Sequence, residues 1–264
     1  MTGSPTERPE RARGSRRTLT LGIRCSRTTD IVRIAAAAGY DAILIDMEHS
    51  SIPLDVVTAM CATAIDLGIF PVVRPPERDY GIIGRLLDGG ACGILAPRID
   101  TVEEAEAVVH AARFAPRGHR SQTGMVPHNR MRPVPPAQLN PQLDAATIVQ
   151  VQIETLLGVA NADAIAAVPG VDALVIGAND LCTELGVPGD FHDPRIEDAV
   201  KTVAAACRAS GKRASVGGVS DPALLKHLRS LGDFSNSHLV GFDLDLLYDI
   251  AMQRRQKVEE NFPA

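Results

Sequence analysis

From Thr18 onward, short apolar runs rich in Val, Ile and Leu alternate with longer segments whose apolar residues recur at helical spacing. The runs fall at 19–23, 42–46, 69–73, 93–96, 147–153, 172–176, 214–217 and 238–242. Most are bounded by Gly, Asp or Pro and read as strands buried in a parallel sheet. Helices are predicted near 28–38, 54–67, 79–89, 101–113, 155–167, 194–210, 221–231 and 244–260. Start signals mark three of them: Asp79, Thr101 with Glu104 three residues on, and Asp221 followed by Pro222. Eight strands, each followed by a helix, within about 250 residues predict a (β/α)8 barrel, the TIM-barrel architecture. A doubly wound open sheet is the runner-up, but no G-x-G-x-x-G follows the first strand. The rhythm breaks once, over residues 115–145, which carry six Pro and no clear period. A loop of that length is usually functional or mobile. It starts nominally at the bottom of the barrel, and is long enough to climb the outside or reach a neighbouring subunit.

Composition narrows the functional classes. The 264 residues are 45% hydrophobic and 22% charged, ordinary globular values. Aromatics are only 3%, Trp is absent and the net charge is −5, so few rings can stack bases and the charge is wrong for a phosphate backbone. Nucleic acid is therefore not an expected partner. The charge is uneven: residues 1–17 hold five Arg and two Glu, which makes that stretch +3 and the remainder −8. No apolar run follows those arginines, so the stretch is not a secretory signal. It reads as a disordered leader before a single barrel domain over 18–264, an RNA-binding arm being the weaker reading. No segment approaches the ~20 apolar residues needed to span a bilayer, so a membrane is not expected either. Cys25, Cys61, Cys92, Cys182 and Cys207 are scattered and form no C-x-x-C pair, which excludes a zinc knuckle and fits reduced thiols in the cytoplasm.

In such barrels chemistry happens at the carboxyl ends of the strands, where the βα loops converge on one mouth. Read in order, those ends carry Arg24, then Asp46-Met47-Glu48-His49, Arg74, Arg98 and Glu154, then Gly177-Ala178-Asn179-Asp180, and finally Gly217-Gly218. Strand ends are polar in any protein, because water begins there. That bland reading accounts for one or two positions, and poorly for several carboxylates, a His and three Arg around one mouth. The four lysines decide against Schiff-base chemistry: Lys201, Lys226 and Lys257 lie on predicted helices and Lys212 at the barrel's bottom. Carbanion chemistry would then need a metal as electron sink. Glu154 and Asp180, on adjacent strand ends, could supply two oxygen ligands, which suits Mg²⁺, Mn²⁺ or a similar divalent ion. Taken singly, each carboxylate would more often be a helix cap or a solvated charge.

The runs YDAILIDMEHS, PVVRPPERD, RLLDGGACGILAPRIDTVEEAEAVVHAARFAPRG, VQVQIET and VDALVIGANDL closely resemble the HpcH/HpaI aldolases, divalent-metal pyruvate aldolases, and the resemblance spans roughly residues 18–250. It implies a hexamer built as a trimer of dimers, with the last helix exchanged between subunits. It implies a metal (Mg²⁺, Mn²⁺ or Co²⁺) on Glu154 and Asp180, Arg74 on the keto oxygen of a pyruvate-like acid, and His49, oriented by Asp46, as the proton-transfer group. It sets Gln152 near the keto acid and the backbone around Asn179 at its carboxylate. Taken alone, His49 would more often be a packed or capping residue. The implied reaction is carbon–carbon cleavage or formation through a pyruvate-type enolate, with a small 2-oxo acid and an aldehyde or carboxylate acceptor.

Three positions depart from many relatives. Arg24 stands where a Trp is common, Arg98 where an apolar residue is common, and Ala178 replaces a frequent Pro. Two extra guanidinium groups at the mouth, with Arg120 on the long loop as a third, point to an anionic substrate, since Arg pairs bidentately with carboxylates. Surface arginines paired with neighbouring Asp are the equally weighted alternative. The rival functions are an oxaloacetate-using enzyme, decarboxylating or citrate-forming, and a non-catalytic barrel that binds a carboxylate ligand.

Overall fold

In the computed structural model, residues 17–262 are described, so the expected leader lies, but for Arg17, outside them. Eight strands run parallel: β1 (Thr18–Ile23), β2 (Ala42–Asp46), β3 (Phe70–Arg74), β4 (Gly93–Ala96), β5 (Ile148–Ile153), β6 (Ala173–Gly177), β7 (Arg213–Gly217) and β8 (Ser237–Phe242). Each sits within a residue or so of its expected run. They pair in the order β7-β6-β5-β4-β3-β2-β1-β8. The remaining seam, between β7 and β8, carries one parallel bridge, Ala214 to Phe234, so the (β/α)8 barrel is nearly closed.

The pleat explains two separate cores. Ile43, Ile45, Val73, Ile94, Val149, Val151, Ile153, Leu174 and Ile176 face outward and pack with the helices. The alternate residues Leu44, Val72, Leu95 and Val175, with Phe70, Leu239 and Phe242, form a distinct cluster inside the ring. One pleat period further along β2 and β3, the inward row reaches the mouth and turns polar at Asp46 and Arg74.

All eight expected helices form: α1 (Asp30–Ala37), α2 (Leu54–Asp66), α3 (Ile83–Asp88), α4 (Val102–Ala112), the split pair α6 (Leu156–Ala160) and α7 (Ala162–Ala167), α9 (Pro194–Ala209), α10 (Pro222–Ser230) and α11 (Asp243–Asn261). The Thr101 hydroxyl accepts from the Glu104 amide, and the Asp221 carboxylate from the Leu224 amide, as caps should. Asp79 makes no side-chain cap; a 3₁₀ turn, Tyr80–Ile82, precedes α3 instead. Two helices were not expected, α5 (Pro136–Ala146) and α8 (Ala178–Glu184).

α5 ends the long segment 115–145, which neither climbs the barrel nor hangs free. Phe114, Val126, Leu139 and Leu143 build a small core of their own. The buried His128 sets Nε2 3.1 Å from the carbonyl of Ala91, just before β4. Arg120 is a correction to expectation: it is buried at the barrel's bottom, 2.8 Å from Asp88 and over the Phe114 ring, far from the strand ends that form the mouth. At the other extreme, α11 buries only Asp243, and leaves Leu244, Leu247, Tyr248, Ile250 and Val258 exposed. Among the described residues, no helix is long and apolar enough to cross a membrane.

Candidate active site

The polar rung of the barrel interior is built by strand register. Asp46 and Arg74 are Cα partners at the ends of β2 and β3. Arg74 donates from Nε to Asp46 Oδ1 at 2.9 Å and from Nη2 to Oδ2 at 2.6 Å, a bidentate pair with Asp46 0% exposed. Its Nη1 reaches Gln152 Oε1 at 3.3 Å, and Gln152 Nε2 donates to Glu154 Oε2. The other Glu154 oxygen accepts the backbone amide of Arg98 at 2.8 Å. Arg98 itself has φ +48°, in the left-handed region. Gly177, which ends β6, is the necessary neighbour: a Cβ there would lie 2.5 Å from Glu154 Oε2.

The charges are unequally satisfied. Burial raises the Asp46 pKa, but the Arg74 and Arg24 hydrogen bonds outweigh it and hold the carboxyl at about 2. Glu154 goes the other way. Burial, then the nearby Asp180 and Glu48 charges, push it up to about 7 despite the Arg98 amide and Arg74. Glu48 is also raised, mainly by burial, although Arg74 Nε lies 3.2 Å from its Oε2. The Asp180 carboxylate, in the first turn of α8, makes no hydrogen bond to any described residue. Three carboxylates thus converge with too little positive charge, an arrangement a hard divalent cation would relieve. Among the described residues, no group of three or more His, Cys, Asp or Glu has ligating geometry. The protein's share would be Glu154 and Asp180, with the other positions open to water and substrate. The residues present fit such an ion.

With this geometry in view, similarity is decisive: a profile of the HpcH/HpaI aldolase/citrate lyase family matches residues 25–249. The chain belongs to this family. Among HpcH/HpaI relatives, it is 38% identical over 201 residues to a 4-hydroxy-4-methyl-2-oxoglutarate aldolase of Hapsidospora irregularis, covering 75% of this chain and 74% of the relative. It is 33% identical over 237 residues to a 2-keto-3-deoxy-L-rhamnonate aldolase of Klebsiella pneumoniae, covering 89% and 86%. The crystal structure of an HpcH/HpaI aldolase from Desulfitobacterium hafniense superimposes with a TM-score of 0.86 at 25% identity, over 97% of both chains. As an HpcH/HpaI aldolase the protein is a carbon–carbon lyase, which disposes of the non-catalytic barrel reading.

The expected residues take unequal places in this site. Arg74, Asp46, Gln152 and Glu154 form one continuous hydrogen-bonded chain. His49 lies at the mouth with its ring 50% exposed, and Asp46 does not orient that ring: Asp46 Oδ1 accepts the backbone amides of Glu48 and His49, while the imidazole Nε2 sits 3.4 Å from Glu48 Oε2. Asp46 is the last residue of β2 and faces inward, whereas His49 lies three residues beyond, on the loop. Asn179 is exposed at the start of α8, closely backed by Gly218, where a Cβ would meet its Nδ2 at 2.8 Å. The Arg98 side chain is held loosely, 3.9 Å from both Glu77 and Glu184, so its firm contribution is the amide. Arg24 donates from Nε to Asp46 Oδ2 at 2.6 Å and lies over the Phe242 ring. Sequence reading placed Gly177 at its strand end without giving it a role, and missed Phe242 and Asp243. Inward parity on β6 leads to Gly177, whereas Phe242 faces inward because a register shift in β8 sets it beside Gly22.

Proposed function

We propose that this enzyme makes and breaks the bond between C3 of a pyruvate-type 2-oxo acid and a carbonyl carbon, with Glu154 and Asp180 holding a divalent cation, Mg²⁺, Mn²⁺ or Co²⁺. When bound, such an ion acts as a Lewis acid on the oxygens of the 2-oxo acid and so acidifies C3. The observation that carries this reading is the convergence of the Glu154 and Asp180 charges beside an Arg74 locked in place by Asp46. Of the five guanidinium N–H groups, Asp46 and Gln152 engage three, which leaves one on each Nη for a developing enolate oxygen. Gln152 and the backbone around Asn179 are assigned to the donor's keto group and carboxylate.

His49 is assigned the proton transfer, its imidazole exposed to the mouth and steadied by Glu48. In cleavage the base removes the C4 hydroxyl proton, the C3–C4 bond breaks with its electron pair left on C3, and C3 is then protonated. No oxidant or reductant is required. The relatives' names share a 2-oxo acid, which agrees with this donor chemistry. The reading is tested by exchange of pyruvate methyl protons in D₂O, followed by NMR with added Mg²⁺, Mn²⁺ or Co²⁺. Exchange is expected to stop on chelation and in Glu154→Gln or Asp180→Asn, with the fold retained by circular dichroism. Exchange that survives both treatments refutes the metal site.

The exposed apolar residues of α11 support packing of that helix on a second subunit, as in a hexamer with exchanged helices, which light scattering would test. The five free cysteines support a cytoplasmic setting.

A further inference from the structure

Arg24 is held as if for a ligand. Its Nε is tied to Asp46 Oδ2 at 2.6 Å, and its guanidinium carbon lies 3.7 Å from the centroid of the Phe242 ring. That ring has space only because residue 22 is glycine: a Cβ on Gly22 would come within 2.4 Å of it. The loop bearing Arg24 is fastened from the far end of the chain. The buried Asp243 carboxylate accepts the amides of Arg24 and Ser26, each at 2.8 Å, and of Cys25 at 3.2 Å. An otherwise mobile side chain is thus fixed from the ring, the carboxylate and its own backbone.

What this seat leaves open is the two Nη groups, which hydrogen-bond to none of the described residues, on a side chain 29% exposed at the mouth. The charge count agrees. Asp46 brings one negative charge to two guanidinium groups, and of those two Glu48 approaches only Arg74, so Arg24 is the member left half-neutralised. Arg24 and Arg74 share one oxygen of Asp46, which sets the free Nη groups next to the arginine assigned to the enolate.

We propose that Arg24, seated by Phe242 and Asp243, binds a carboxylate on the acceptor, so that the carbonyl compound joined to the donor is itself a 2-oxo acid or another carboxylated carbonyl. This deepens the aldolase reading and rests on it. Arg24 is the specificity residue; Phe242 and Asp243 are positioning residues. Pairing through two parallel N–H groups also fixes which face of the acceptor carbonyl meets C3.

The test uses the full chain with saturating Mg²⁺ and pyruvate, and compares addition to glyoxylate with addition to glycolaldehyde, a neutral acceptor with the same number of carbons. The unmodified enzyme is expected to favour glyoxylate in kcat/KM by ~10-fold or more, as a charge-assisted bidentate pair warrants. Arg24→Met is expected to lower that ratio ~10-fold or more, mainly through the KM for glyoxylate, and Arg24→Lys to restore only part of it. Phe242→Leu keeps the charge and the Asp46 link but removes the ring; it is expected to lower the ratio ~3-fold through KM, and keeps the test valid if Arg24→Met misfolds. A preference for glycolaldehyde, or no addition to glyoxylate, overturns the proposal. So does an Arg24→Met variant that loses both additions equally, which would make Arg24 a support for Asp46. Absence of pyruvate proton exchange in the unmodified enzyme would instead overturn the aldolase reading beneath it.

Discussion

Gly177→Ala adds one methyl group where the barrel has no room for it. The backbone there has φ −88° and ψ 85°, which alanine adopts without left-handed strain, so any loss must come from contact. The new Cβ would lie 2.5 Å from Glu154 Oε2, 2.7 Å from Gln152 Nε2 and 2.7 Å from Glu154 Cβ. Non-bonded heavy atoms rest at roughly 3.5 Å, so the carboxylate must retreat by about 1 Å. The Cβ contact closes the easy escape, because that atom moves only with the β5 backbone. Overpacking of this kind costs about 1–3 kcal/mol, or a Tm lower by roughly 2–12 °C at this chain length. Displacement of a ligating carboxylate should weaken divalent-metal binding about 10- to 100-fold, the loss typical when a ligand's support is disturbed. Calorimetric titration with Mn²⁺ and thermal melts with and without the ion measure both effects. The control is Gly217→Ala, at the Cα partner of Gly177 on β7, where the nearest atoms to a new Cβ are 3.7 Å away and little change is expected. Unchanged metal affinity in Gly177→Ala, with the control also unchanged, would refute the assignment of Glu154 to the metal.

Arg74→Lys is expected to lower kcat by ~10²-fold or more, because an ammonium is unable to span both oxygens of Asp46, reach Gln152 and still aim two donors into the mouth. Steady-state cleavage kinetics check this, and a loss within a few-fold would move Arg74 out of the site. His128 gives a pH signature remote from the chemistry. Burial, against the pull of the Ala91 carbonyl, depresses its pKa from 6.5 to about 4, so the fold favours the neutral ring. The stability this contributes is complete above pH 6.5 and is lost as pH falls toward 4, an effect of about 3 kcal/mol. Urea unfolding at pH 7 and pH 4.5 should therefore show a smaller acid penalty in His128→Gln, and an equal penalty would contradict the assignment.

The barrel was legible because each strand is a run of Val, Ile and Leu and each helix has its own apolar stripe. The mouth was legible for a related reason: once a barrel is inferred, polar residues at strand ends have only one place to meet. Inward parity carries this further, since Leu44 leads to Asp46, Val72 to Arg74, and Val175 to Gly177. Other features depend on information the local pattern lacks. α5 was hidden by Pro141 inside it, although Leu139, Leu143 and Ala146 keep helical spacing after a Pro at the first turn. Asp-x-Glu-His invites a carboxylate–imidazole pair, yet the pleat sends Asp46 inward to two arginines and leaves His49 to Glu48. Arg98 looked like a charged side chain for a ligand. Its firm contact is the backbone amide, which donates to Glu154. Phe242 and Asp243 serve Arg24 across more than 200 positions of chain, a contact that exists only after β8 docks beside β1.

That last contact has a meaning during synthesis. A ribosome releases β1 first and β8 last, so the edge of β1 waits unpaired while seven further strands emerge. The pair of Asp46 and Arg74 can form as soon as β2 and β3 are out. The seat of Arg24 has to wait for residues 242 and 243. In order of synthesis the residues assigned to the donor are therefore complete before the acceptor seat is, and the group assigned to selecting the acceptor can become fixed only when the barrel's final strand arrives.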